Sequence, residues 1–255
     1  MPLKTSDIYL FFDDGGVLND NQIRGEQWQK LVGIYLSPRF GGDPELWAKA
    51  NVEFIKDFAG KEVPKLVWEH REKSYYEFLE WFIEKWVNDM FDYMGINRPE
   101  RNKYKQIYYG AAKFVDSRIK AAFPGVIKSI ENLYNKGYNL CTSSGMESIE
   151  LKLYLEGMGI KQYFKAFYGP DLVNILKIDD KFYRAIFTDL NVTPEQSIVI
   201  DDKPFYLKHA EKLGAIVIQA CLTGEYTSQF PYIITHMSEL PVLIEEVIGD
   251  NFNVG

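Results

Sequence analysis

The chain has 255 residues, and its 29 basic and 36 acidic side chains give a formal net charge of −7 with the histidines neutral. A composition of 46% hydrophobic and 25% charged residues is ordinary for a globular protein and excludes disordered, collagen-like and disulfide-stapled chains. The acidic balance argues against nucleic-acid binding through a basic surface. One value is unusual, because 15% of the residues are aromatic.

The termini and cysteines indicate a compartment. Two cysteines, Cys141 and Cys221, cannot form a disulfide framework. The apolar run at residues 8–12 is too short for a signal-peptide core, and no run is long enough for a membrane helix. We therefore expect a soluble, unprocessed, cytoplasmic protein that binds neither nucleic acid nor membrane. The sequence leaves its oligomeric state open.

The predicted elements begin with one strand and then become helical. Residues 7–12 are almost wholly apolar, which predicts a buried strand of a parallel sheet. From about residue 20 to residue 120, apolar residues recur at helical spacing. Helices are predicted near 21–36, 44–58, 75–91 and 99–120. In this segment we expect Trp81 and Trp47 to line a substrate cleft or a partner surface.

After Gly125 the pattern alternates between helix and strand, which predicts a doubly wound parallel sheet. Strands are predicted at 138–142, 166–168, 197–200 and 215–219, and helices at 125–136, 146–157, 180–190, 204–213 and 239–247. The first strand has no partner nearby in sequence, so it most simply joins this sheet. We therefore predict one α/β core, residues 1–19 and 121–255, interrupted by an all-helical domain at residues 20–120.

Polar side chains follow three predicted strands at their carboxyl ends, the edge where parallel sheets gather functional groups. The side chains are those of Asp13, Asp14, Thr142, Ser143, Asp201 and Asp202. Carboxylates that converge repel one another and need a cation. Oxygen ligands without a neighbouring histidine or cysteine favour Mg²⁺ as that cation.

The same strand ends fit chemistry on a phosphate. An aspartate beside Mg²⁺ can act as a nucleophile. Thr142 and the backbone amides of Ser143 and Ser144, before a predicted helix, can donate to a phosphate, and Lys177 can neutralise its charge. The structural alternatives are a turn for Asp13 and Asp14, a helix cap for Thr142, a surface position for Lys177 and a loop-shaping role for Asp201.

Four segments occur in an order that is typical of one family. Residues 12–18 read Phe-Asp-Asp-Gly-Gly-Val-Leu, and residues 140–144 read Leu-Cys-Thr-Ser-Ser. Lys177 follows, and then residues 198–203, Ile-Val-Ile-Asp-Asp-Lys. This order resembles the four motifs of the haloacid dehalogenase-like (HAD) superfamily, over residues 1–20 and 120–248. The resemblance implies a Rossmann-like core and a helical cap that closes over the active site and selects small substrates.

The resemblance also implies a role for each matched residue. Asp13 is implied as the nucleophile and as a ligand of Mg²⁺. The other implied metal ligands are Asp202, Asp201 and the backbone carbonyl of Gly15, and the implied phosphate ligands are Thr142, Ser143 and Lys177. Of these, Thr142 and Lys177 join Asp13 as implied catalytic residues.

Position 15 departs from the family pattern. Family phosphatases carry a second aspartate there, which protonates the leaving oxygen and later activates water, whereas this chain has Gly15. Such general acid/base help is worth about 10²- to 10⁴-fold in rate. The expected function is a Mg²⁺-dependent phosphatase for a small organophosphate, acting through an aspartyl-phosphate on Asp13.

The group that replaces the missing acid stays open at this point. There are three candidates: a residue of the cap, which contains His70, the side chain of Lys203, and water. Two other functions also stay open. One is a catalytically impaired protein that binds a phosphorylated metabolite or a partner, and the other is an enzyme that cleaves C–P or C–halogen bonds.

Overall fold

The structure is a computed structural model that describes residues 4–58, 69 and 72–251. His70 lies outside the described residues. The chain divides into two compact units, one formed by residues 22–120 and the other by residues 1–21 together with 121–255.

A six-stranded sheet forms the centre of the second of these units, the α/β unit. Its strands are β1 (Tyr9–Phe12), β2 (Asn139–Ser143), β3 (Phe164–Tyr168), β4 (Ser197–Asp201), β5 (Ile216–Ala220) and β6 (Ile233–Ile234). They are parallel and lie in the order β3-β2-β1-β4-β5-β6. The first strand lies at the centre, between β2 and β4. The predicted doubly wound parallel sheet is therefore confirmed.

Helices pack on both faces of this sheet because alternate strand residues point to opposite faces. Around the sheet lie α5 (Val126–Asn135), α6 (Ser148–Gly157), α7 (Pro170–Val173), α8 (Asp180–Leu190), α9 (Pro204–Lys212) and α10 (Leu240–Asn251). Leu10 and Phe12 face a core shared with α5, α6 and α10. Phe11 and Val199 face a second core shared with α8 and α9. The sheet is therefore buried on both sides, which explains its apolar strands.

The other unit, residues 22–120, is helical where it is described. Its helices are α1 (Asn21–Phe40), α2 (Pro44–Asp57), α3 (Tyr75–Met94) and α4 (Tyr104–Asp116). Ser74 caps α3 through the backbone N–H of Glu77, and Gly95 ends it in a left-handed conformation with φ of 62°. These local signals explain why this helix could be predicted from sequence.

Two predictions in the helical unit are corrected. Helix α1 passes through Pro38 to Phe40 instead of ending at residue 36, because the Phe40 ring packs 5.1 Å from that of Phe91 and 6.4 Å from that of Trp47. Trp47 is fully buried and donates to the Gly41 carbonyl at 2.8 Å, so it is a core residue and does not line a cleft. The cleft role of Trp81 stays a prediction.

The chain leaves the α/β unit and returns to it at adjacent positions. The Asp20 amide donates to the Ala121 carbonyl at 2.7 Å, and the Phe123 amide donates to the Leu18 carbonyl at 3.2 Å. Paired connections of this kind let a long insertion interrupt the core without separating its strands. Across the described residues, no helix is long and apolar enough to span a bilayer.

Candidate active site

The register of the sheet brings three strand ends to one level. Phe12 lies beside Thr142 of β2 on one side and beside Ile200 of β4 on the other. The Asp13 amide donates to the Ile200 carbonyl at 2.9 Å, which fixes Asp13 directly beyond the strand. Asp13, Ser143 and Asp201 therefore lie side by side at the carboxyl edge of the sheet.

Lys177 lies in the loop between α7 and α8 and contacts all three of these strand ends. Its Nζ lies 3.2 Å from Asp13 Oδ1 and 2.6 Å from Asp201 Oδ2, and it donates to the Ser143 carbonyl at 2.7 Å. The side chain is buried, so Lys177 is not a solvated surface lysine. A buried ammonium in contact with two carboxylates fixes their relative positions.

Charge in this cluster is maintained despite burial. Burial opposes ionisation of Asp13, but the ammonium groups of Lys177 and Lys203 and a hydrogen bond from the Ser144 hydroxyl outweigh it, so the pKa of Asp13 is lowered. Burial likewise opposes the charge on Lys177, but Asp13 and Asp201 raise its pKa well above the ordinary value. At neutral pH, Asp13 is therefore an anion held by a cation.

Three carboxylates of this site could hold a metal ion. Asp13, Asp201 and Asp202 each offer one oxygen, and these oxygens lie within 4.8 Å of one another. Asp202 Oδ1 is buried with no hydrogen-bond partner within the described part of the chain. Burial and the charges of Asp13 and Asp201 raise the pKa of Asp202 to about 8. Hard oxygen donors, excess negative charge and an unpaired oxygen together fit Mg²⁺.

A glycine makes room for the Asp202 carboxylate. Gly16 has φ of +86°, and a Cβ added there would lie only 2.4 Å from Asp202 Oδ2. The Asp-Gly-Gly sequence after β1 therefore lets the backbone pass close to the fourth-motif carboxylate. Asp14 instead stabilises the loop after β1, because its carboxylate accepts a hydrogen bond from Asn19 Nδ2 at 2.6 Å.

Asp201 is already engaged at both carboxylate oxygens. Oδ2 accepts from Lys177, and Oδ1 accepts from the Lys203 amide at 2.9 Å. These contacts orient Lys177 and the start of α9. The predicted part of Asp201 in metal binding stays a prediction.

The hydroxyl groups at the end of β2 have different surroundings. Thr142, predicted as a phosphate ligand, is buried and donates from Oγ1 to the Tyr168 carbonyl of β3 at 3.2 Å. The Ser144 hydroxyl is among the groups that lower the pKa of Asp13. The Ser143 hydroxyl is buried, with no hydrogen-bond partner among the residues described. The Thr142 hydroxyl is thus engaged with β3 while the Ser143 hydroxyl is unpaired, and the phosphate-binding role of both residues stays a prediction.

Two further residues contribute to the site beyond those predicted as ligands. The ring of Tyr206 lies with its centroid 4.7 Å from Lys177 Nζ and 5.8 Å from Lys203 Nζ. Such distances allow cation–π attraction. The signal in the sequence was the spacing of three between Lys203 and Tyr206 at a helix start, which places both on one face.

A family profile described as haloacid dehalogenase-like hydrolase matches residues 65–220, more than half of the chain. The match includes the second, third and fourth motif segments but begins after Asp13. Among curated proteins, none matches the chain.

Solved structures share the fold. A candidate HAD-hydrolase, YfnB from Bacillus subtilis, bound to magnesium, is 14% identical with a TM-score of 0.61, covering 93% of this chain and 98% of its own. An HAD phosphatase from Thermococcus onnurineus is 19% identical with a TM-score of 0.59, and the match covers 95% of this chain and 98% of that phosphatase. The L-2-haloacid dehalogenase from Xanthobacter autotrophicus, with chloropropionic acid covalently bound, is 14% identical with a TM-score of 0.55, covering 93% and 98%.

Proposed function

Because the chain belongs to the haloacid dehalogenase-like hydrolase family, we propose that it is a Mg²⁺-dependent phosphatase acting on a small organophosphate through an aspartyl-phosphate on Asp13. The observation that carries the proposal is the contact of 3.2 Å between buried Lys177 and Asp13, which keeps the nucleophile ionised. The magnesium-bound YfnB and the Thermococcus phosphatase, which share the fold, support the choice of metal and reaction.

In the proposed reaction, an Asp13 oxygen forms a bond to phosphorus while the bond from phosphorus to the leaving oxygen breaks. Lys177 and the Ser143 hydroxyl hold the phosphoryl oxygens as charge redistributes. Water then attacks the aspartyl-phosphate, which releases inorganic phosphate and restores the carboxylate. Mg²⁺, held by Asp13, Asp202 and the backbone carbonyl of Gly15, would neutralise charge on the phosphoryl group.

The leaving group limits the substrates, because Gly15 supplies no proton. Burial disfavours the Lys203 ammonium, but Asp13 and Asp202 outweigh burial and raise its pKa, which makes Lys203 a poor acid. We therefore assign the proton to water. Phosphate esters of acidic alcohols, phenols or carboxylic acids should react faster than those of simple alcohols, since their leaving oxygens need little protonation.

A second candidate function, displacement of halide from a 2-haloacid, is favoured by the same glycine. Halide leaves as an anion and requires no proton, so Gly15 would be no handicap. Asp13 would attack the carbon that carries the halogen, and water would then hydrolyse the resulting ester. The Xanthobacter dehalogenase, with its covalently bound chloropropionic acid, shares the fold. Retention of Asp202, which we propose as a metal ligand, favours the phosphatase.

The test measures both reactions on the same purified protein. Phosphate release is followed from aryl, acyl and alkyl phosphates with Mg²⁺, and chloride release is followed from 2-chloropropionate with EDTA. We expect phosphate release that Asp13→Asn abolishes and Asp14→Asn, which keeps an oxygen for Asn19, retains. Chloride release alone would identify the dehalogenase. Absence of both products would indicate the impaired, ligand-binding alternative.

We also propose a cytoplasmic location and a small-molecule substrate. Cys141 and Cys221 are both free thiols, as expected in a reducing compartment. Burial raises the pKa of Cys141 to about 12, which makes this thiol unreactive. Fractionation of the native host with compartment markers would test the location.

A further inference from the structure

Lys203 is a second fixed cation of the site, and its position differs from that of Lys177. Lys177 is buried and paired directly with Asp13 and Asp201. Within the part of the chain that the structure describes, the Lys203 ammonium forms no direct ion pair and remains partly exposed. The Tyr206 ring lies within cation–π distance of both ammonium groups. Lys203 is therefore held at the site without being neutralised by one carboxylate.

A lysine is unfavourable for helix stability at the position of Lys203, and the nearby carboxylates offset this cost. It is the N-cap residue of α9, makes no side-chain capping bond and is followed by Pro204. A cation at a helix N-terminus opposes the helix dipole, and residues with a capping oxygen are preferred there. Asp13 and Asp202 supply the compensating attraction, since both raise the pKa of Lys203 against burial. A residue that violates local preferences beside a buried charge cluster is expected to serve that cluster.

We propose that Lys203 sets the ion preference of the site, weakening Mg²⁺ binding and strengthening binding of the phosphate group. This inference rests on the proposed function, because it concerns the two ions that function requires. Once a cation replaces the proton of Asp202, three carboxylates and two ammonium groups leave one net negative charge. Without Lys203 the cluster would carry two, and so would attract a divalent cation more strongly and an anion less strongly.

The experiment measures both affinities by isothermal titration calorimetry. Mg²⁺ alone is titrated into the metal-free full-length protein, and inorganic phosphate is titrated at saturating Mg²⁺. Lys203→Gln should bind Mg²⁺ about tenfold more tightly and phosphate about tenfold more weakly than the unmodified protein. Lys203→Arg, which keeps the charge, should restore both values. Lys208→Gln is the matched control, because Lys208 lies on the same helix but its ammonium contacts Gln229 at 3.0 Å.

Opposite changes cannot come from a damaged fold, which would weaken both affinities. Unchanged Mg²⁺ affinity in Lys203→Gln, or a loss of both affinities, would overturn the assignment of Lys203. An equal effect in Lys208→Gln would also overturn it, because surface charge alone would then be responsible. If the unmodified protein bound neither Mg²⁺ nor phosphate, the proposed function itself would fail and this inference with it.

Discussion

Asp13 and Asp202 lie in the same cluster, yet their pKa values move in opposite directions. Both are buried, and burial alone would raise both values. Lys177 contacts Asp13 directly, whereas no oxygen of Asp202 contacts an ammonium in the described residues. One carboxylate is thereby kept as an anion, and the other keeps a proton that the proposed cation would replace.

At the residue scale, the proposal that Gly15 replaces a catalytic acid can be tested by supplying that acid. Gly15 is not one of the described glycines that have positive φ. An aspartate at position 15 can therefore adopt the same backbone conformation without strain. Gly15→Asp should increase the rate with alkyl phosphates by up to about 10²-fold and change the rate with p-nitrophenyl phosphate little, because only the alkoxide needs a proton. Steady-state kinetics on both substrates measures this. Gly15→Asn is the control, and an equal gain in that variant would show that the carboxyl group is not acting as an acid.

The raised pKa of Asp202 makes a second prediction, for the metal-free protein. Its ordinary value is 3.8, and its value in the folded protein is about 8. Between these pH values the folded state retains a proton that the unfolded state loses, so Asp202 makes folding less favourable as pH rises. Asp202→Asn should therefore be more stable than the unmodified protein at pH 8 by at least about 1 kcal/mol, with no difference near pH 4.

Thermal unfolding in EDTA across this range measures the difference. Asp171→Asn provides a control elsewhere in the same unit, where the carboxylate accepts from the amide and the hydroxyl of Ser148. A pH-independent difference between Asp202→Asn and the unmodified protein would contradict the assigned ionisation.

At the scale of elements, the sequence indicated the sheet well and the end of one strand less well. The apolar strands and the glycines that close their helices predict the α/β pattern, because each is a local signal. Strand β2, however, runs to Ser143 and not to residue 142. Thr142 pairs with Phe12 inside the strand, and its hydroxyl donates to the Tyr168 carbonyl of β3, contacts between strands that the local sequence does not reveal.

The contacts at the end of β2 make a testable prediction. Ser144→Ala removes a hydroxyl that lowers the pKa of Asp13 and should lower kcat/KM several-fold, with the acidic limb of the pH–rate profile moving to higher pH as that pKa rises. Thr142→Val removes only the bond to the Tyr168 carbonyl. It should reduce stability by about 1 kcal/mol and leave that limb in place. Interchanged results would restore Thr142 to the site.

The helical unit was predicted by the same local signals, but its interior was not. Spacing predicts which residues lie on one stripe, and it does not reveal which ring fills which space. Trp47 was expected at a cleft, yet it is buried against Phe40 and Phe91. The same contacts stabilise the last turn of α1, which extends past Pro38 although a proline ordinarily ends a helix. Tertiary burial outweighed local preference in both cases.

At the scale of the whole molecule, the division into two units places every proposed metal ligand in one of them. Asp13, Asp201 and Asp202 belong to the α/β unit, and residues 22–120 form the other. A ligand stabilises the structure that forms its site, by about 2.7 kcal/mol at a concentration 100 times its Kd. Units with separate cores can open separately, so this stabilisation need not extend to the helices of residues 22–120.

Hydrogen exchange measured with and without Mg²⁺ tests this expectation. At 100 times the Kd, amides of β1 and β4 that exchange by opening of the α/β unit should slow by up to about 100-fold. Amides of α3 should change little, because no proposed ligand lies on that helix. Asp202→Asn is the control, and its exchange should respond little to Mg²⁺. Equal slowing of α3 and β4 would instead show that the two units open as one, because stabilisation at the carboxyl edge of the sheet would then reach the helices as well.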